Sequence, residues 1–179
     1  MRLVTAVALL VWFTPAIHGA DIKNPYRNAK VGDWVEYKMT GPNMEGSTKM
    51  TIVSKEEKEL TYQVEASFSF MGNKTAAPVQ TMKIDLTKDY DAISAANLKA
   101  TNVKIEKLEE GTEKIQAAGK EYDTKWTKLR ATTPVNGMTI LMDYKMWFSK
   151  DVPLSGLVRM DTTASDMTTR VELIGSGSK

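Results

Sequence analysis

The chain has no cysteine, and its one histidine, His18, lies within the first twenty of its 179 residues. Without a thiol there is no disulfide, no thiolate nucleophile and no cysteine-held iron–sulfur cluster. Once residues 1–20 are removed there is no imidazole either. That excludes Ser-His-Asp and Cys-His nucleophile systems, histidine general bases, haem held by histidine and zinc sites built from His and Cys. Catalysis would have to rest on carboxylates, Lys, Tyr or Ser alone. An excess of one charge is also missing. Lys and Arg number 24 against 22 Asp and Glu, and the signs interleave, as in Lys104-Ile105-Glu106-Lys107-Leu108-Glu109-Glu110. Such a surface lacks the segregated basic face of a nucleic-acid binder. No Asp-x-Asp-x-Asp-Gly loop marks a calcium site.

Long apolar runs are absent too. Leu3–Phe13 is about half the ~20 residues a membrane-spanning helix needs. Placed behind Met1-Arg2 and ahead of Pro15 and the small-residue exit around Gly19-Ala20, it reads as a secretory signal peptide over residues 1–20. No Cys follows it, so an N-terminal lipid anchor on cysteine is not expected. Residues 21–179 then form a single exported domain, with no transmembrane segment and a location that is periplasmic or secreted.

What is present is a period of two. Leu60, Tyr62, Val64, Ala66, Phe68 and Phe70 alternate with Thr61, Gln63, Glu65, Ser67 and Ser69, as a half-buried strand requires. Met138, Ile140, Met142, Tyr144, Met146 and Phe148 repeat the pattern, with Leu141 and Trp147 on the opposite face. Shorter pieces occur at Val35-Tyr37-Met39, Met82-Ile84-Leu86 and Val171-Leu173. Turns are expected at Lys55–Lys58, Gly72-Asn73, Glu110-Gly111, Ala118-Gly119 and Asn136-Gly137, the last being the dipeptide of type I′ hairpins. One segment, 91–98, reads as a short helix behind an Asp91 N-cap. The fold class is therefore mainly β: a curved antiparallel sheet or half-barrel of about eight to ten strands with one short helix.

Three stretches carry a resemblance: Val31–Tyr37 (VGDWVEY), Gly119–Trp126 (GKEYDTKW) and Trp147–Val158 (WFSKDVPLSGLV). Together they look like a family of exported bacterial proteins of unknown function with a W-x-S-x-D-V-P-x-x-G-L-V motif. Members of that family often carry Cys where this chain has Thr124, so no thiol role is implied here. More distantly, the layout is similar to periplasmic half-barrels of the lipoprotein-carrier type. That resemblance implies a curved sheet around an apolar cavity closed by short helices; it does not by itself assign a function.

Two kinds of site stand out. Ser149-Lys150-Asp151 places a hydroxyl beside an amine, the makings of a histidine-free nucleophile. Neighbours in a strand point to opposite faces, however, so Asp151-Val152-Pro153 with Gly156 reads more simply as a corner. Pairs such as Asp143 with Asp151, or Glu109 with Glu110, have no surrounding signature. No catalytic residue, metal or cofactor is expected. The second kind is an apolar face made of Met82, Met138, Met142, Tyr144, Met146, Phe148 and Met160. Methionine adapts to ligands of varied shape, and it also fills ordinary cores. Read functionally, this face belongs to a non-enzymatic envelope protein whose partner is a lipid or other apolar molecule. The alternatives are a structural or protein-interaction module with an envelope protein as partner, and a small hydrolase using carboxylates or Ser149 with Lys150.

Overall fold

The structure is a computed structural model and describes residues 24–88, 103–135 and 138–178. The expected leader, the helix expected at 91–98 and the Asn136-Gly137 turn lie outside these residues. Ten antiparallel strands form one sheet: β1 (Trp34–Gly41), β2 (Met44–Lys55), β3 (Glu59–Phe70), β4 (Asn73–Ala76), β5 (Gln80–Asp85), β6 (Lys104–Ala117), β7 (Lys120–Val135), β8 (Met138–Phe148), β9 (Leu157–Ala164) and β10 (Met167–Gly177). Their order is β4-β3-β2-β1-β10-β9-β8-β7-β6, with β5 also pairing β3, and the sheet does not close. The mainly β expectation, strand number included, is what the chain adopts.

Alternation becomes one buried face because directly opposed residues in antiparallel strands point the same way. Phe68, Gly46, Met39, Val171, Met160 and Met146 form one such row, crossing six strands from β3 to β8. The row of Val64, Met50 and Val35 runs parallel to it, with Ala66, Thr48 and Tyr37 between. A single sheet can bury this face only by curling over it, and β6 accordingly approaches β9 and β10. The resulting core holds Val35, Tyr37, Ile52, Leu60, Tyr62, Leu173, Tyr144, Met146, Phe148, Val158 and Met160 in one cluster.

Three pieces close one end of the curl. The first is an N-terminal 3-10 turn, Pro25–Asn28, whose Tyr26 is fully buried and stacks on Tyr62 at 6.4 Å between ring centres. Asn24 Nδ2 and Arg27 Nε hold it to the chain after β5, through the carbonyls of Lys88 (3.2 Å) and Leu86 (2.8 Å). The second is the corner between β8 and β9. The third is the tip of the β6–β7 hairpin, which runs past the end of β8 and buries Ile115, Ala117 and Tyr122 in the common core. Its turn lies at Ala118-Gly119, both at positive φ (49° and 76°), as expected.

One expected turn is not a turn. Gly111 sits inside β6, opposite Trp126, and a Cβ there would lie 2.8 Å from the indole. The glycine lets a large ring lie flat on the backbone, the other common reason for glycine in a strand. Gly175 and Gly177 do the same for Trp34.

Candidate functional site

The seven apolar residues singled out from the sequence share a face but not a depth. Met138, Met142, Tyr144 and Met146 follow one another along β8, Met160 lies opposite Met146, and Met82 lies opposite Tyr62. Phe148 ends β8 beyond a bulge, opposite Leu157. Tyr144, Met146, Phe148 and Met160 are all sealed in the core, Met142 is half-buried, and Met82 and Met138 are exposed (38% and 67%). The face thus splits into a packed part and an open part.

The open part lies at the end of the sheet away from the 3-10 turn. There β3 ends in exposed Phe70, β10 begins with exposed Met167, and β8 begins with Met138 and Ile140, both exposed. Half-buried Met39, Met44, Phe68 and Met142 lie just inside them. Register ties these together: Phe70 opposes Met44, while Met167 and Met142 both oppose Ala164. Sequence reasoning found Met138 and Met142 here and left out Met39, Met44, Phe68, Phe70, Ile140 and Met167. The alternation of the individual strands held the signal for most of them; the pairing that makes them neighbours was not legible.

Two tyrosines stand on the same face as the thioethers. Tyr62 donates its hydroxyl to Met82 Sδ and Tyr144 donates to Met142 Sδ, each at 3.3 Å. Burial raises the pKa of both phenols, so they stay neutral donors at physiological pH. A thioether is a weak acceptor.

The convex face carries exposed Leu141 and Ile174 together with a set of internally paired charges. Trp147 is buried under Lys145 and Arg159, with Nζ 4.6 Å and Cζ 5.9 Å from the ring centre. Its Nε1 donates to Glu113, which also takes Lys145 Nζ at 3.0 Å. Those two donors, the indole first, hold the Glu113 carboxyl below its usual range. Asp143 takes both forks of Arg130 at 2.7 and 2.8 Å, which lowers its pKa. Glu109 and Glu110 pair with Lys128 and Lys107.

The corner 149–156 is a compact turn. Ser149 N–H donates to the Gly156 carbonyl at 2.8 Å, and Gly156 has φ 72°, with Ser149 O 2.9 Å from where a Cβ would be. Leu154 also lies at positive φ (63°) and is buried. Ser149 is 4% exposed, and its Oγ takes the Asp151 N–H at 3.4 Å; among the described residues no lysine amine reaches it. Between this corner, the 3-10 turn and the β6–β7 hairpin lies a cleft of about 910 Å³. Phe148 is the one member of the apolar set in its wall.

No protein-family model and no curated protein matches the sequence. Solved structures do share the fold. A protein from Bacteroides fragilis, inferred to be exported and described as having a YmcC-like fold, superposes with a TM-score of 0.53 at 8% identity, over 83% of this chain and 97% of its own. A protein from Parabacteroides distasonis, inferred to be a lipoprotein, gives 0.50 at 12% identity, over 83% and 96%. At such identities the likeness is one of fold.

Proposed function

We propose that this is an exported, non-enzymatic binding protein of the cell envelope that holds a lipid or other apolar ligand against the open end of its concave face. The observation that carries this reading is that exposed Met138, Ile140, Phe70 and Met167 and half-buried Met39, Met44, Phe68 and Met142 stand on the concave face at one end of the sheet. Contiguous apolar patches are uncommon on soluble proteins without a partner, and flexible thioethers suit ligands of variable shape. The names of the two structural neighbours fit export, as does the leader expected over residues 1–20. For the hydrolase alternative, no lysine amine reaches Ser149 Oγ among the described residues and Asp143 is clamped by Arg130, which tells against both as reacting groups. Strand addition at the β6 edge is opposed by the charges of Lys104, Glu106, Lys107, Glu109 and Glu110.

The test is native mass spectrometry of protein purified from envelope extracts. Wild type retains apolar adducts that mild activation releases, and Met138→Asp with Ile140→Asp loses them. Bare protein from both would sink the proposal. Crosslinking of wild type to one envelope protein, with no adduct, would favour the interaction module.

A further inference from the structure

We propose that the cleft at the closed end is a second site, one that takes a small anionic amphiphile. It lies at the opposite end of the sheet from the open apolar face and does not depend on that face's function. Its volume, about 910 Å³, falls in the range of small-ligand pockets, which combine apolar walls with a few placed polar groups. Pro25, Phe148, Val152 and Leu154 supply the apolar walls.

The sign of the ligand's charge follows from which lining groups are already engaged. Asp33 accepts the Lys30 N–H at 2.7 Å. Glu113 is held by Trp147 and Lys145. Lys114 lies 2.7 Å from Glu121 and 3.9 Å from Asp123. Lys125 and Lys150 have no carboxylate within ion-pair distance among the described residues, and both line the cleft. Register brings them to one place: Lys125 is the β7 partner of Phe148, and Lys150 follows Phe148 by two residues. Asp33 lies beside the 3-10 turn and Asp123 shares Lys114 with Glu121, so the two lysines next to Phe148 and Ser149 are the lining cations without an ion-pair partner among the described residues.

Ser149 supplies a second, independent pointer. Its hydroxyl is buried, lines the cleft and accepts the Asp151 N–H, while no acceptor for its own proton stands among the described residues. A buried donor without an acceptor is costly unless a bound group completes it. A carboxylate or phosphate oxygen at this point would take the Ser149 proton and meet the two ammonium groups, while its alkyl chain lies along half-buried Pro25 and Pro153, over the buried side chains of Phe148, Val152 and Leu154. The positive φ of Leu154 and Gly156 shapes the same corner. The feature that resembled a nucleophile is thereby assigned to holding an anion.

Isothermal calorimetry on the purified full chain, with dodecyl phosphate, dodecanoate, inorganic phosphate and dodecyl maltoside as probes, tests the assignment. Dodecyl phosphate or dodecanoate is expected to bind at least about tenfold more tightly than phosphate or the uncharged detergent, and to weaken with salt. Preference between the two acids distinguishes a phosphate head from a carboxylate head. Lys125→Glu with Lys150→Glu, both on exposed side chains, should lower affinity by about tenfold or more with an unchanged melting temperature, and Ser149→Ala by about threefold. Equal binding of phosphate and dodecyl phosphate overturns the proposal, as does binding untouched by the lysine reversals. So does loss of dodecyl phosphate binding in Met138→Asp with Ile140→Asp but not in the lysine variant, since the probe would then sit at the open end.

Discussion

The two ends of the concave face have the same strand pattern and opposite fates. Toward the closed end Leu60, Leu173, Val35 and Val158 are 0% exposed, whereas at the open end Met138 and Met167 are 67% and 60% exposed. Nothing in the alternation separates them. The difference comes from what lies across the strand ends. The 3-10 turn, the 149–156 corner and the hairpin tip cover the closed end, and among the described residues the open end has short hairpin turns at Gly41–Met44 and Ala164–Met167. The comparison teaches that one amphipathic sheet can be core along part of its length and surface along the rest.

The largest expected contrast is in stability. Leu173→Ala removes a fully buried side chain and should cost about 2–5 kcal/mol in denaturant unfolding. Met138→Ala at the other end should stay within about 0.5 kcal/mol. Equal costs at the two ends would erase the distinction.

Gly156→Ala comes next. It forces a Cβ against Ser149 O at positive φ, so a loss of about 1–3 kcal/mol is expected, together with a shift of the Phe148 and Ser149 resonances in NMR spectra. An unchanged melting temperature would mean that the corner can relax freely.

Acid should loosen the closed end. The Thr87 hydroxyl and N–H, with Lys88, hold Asp85 down to about 2, and Glu113 is lowered by Trp147 and Lys145. Both carboxyls have folded values below their unfolded ones near 4. Their contribution is therefore present above about pH 4 and is lost as pH falls toward about 2. Denaturant midpoints should drop over that window, and Asp85→Asn should flatten part of the drop. A midpoint that does not move between pH 4 and 2 would contradict the assignment.

The smallest effect sharpens the map without altering the sequence. Dilute peroxide followed by peptide mass spectrometry should oxidise Met138, Met167 and Met71 first and Met146 and Met160 last, because the latter two are 4% exposed. Slower oxidation of Met138 in adduct-bearing protein would place the ligand at the open end.

Much of this was legible in the chain. The alternating runs at Leu60–Phe70 and Met138–Phe148 are β3 and β8 almost to the residue, since period two reports on the local pleat. The corner at Asp151–Gly156 was legible from Pro153 and Gly156. Gly111 was misread as a turn because its reason, the ring of Trp126, sits on another strand. The seven-residue apolar set lies on one face of the sheet at very different depths, and depth was not legible because it depends on what covers the strand ends.

Sequence by itself determined a sheet with one apolar face and a chemistry without thiol or, beyond the expected leader, imidazole, because strand periodicity and composition are local properties. Tertiary structure alone decided which methionines are core and which face solvent, and that Ser149, Lys125 and Lys150 border one cleft. Those relations depend on strand pairing between distant segments, on the curl of the sheet and on the elements that cap one end of it.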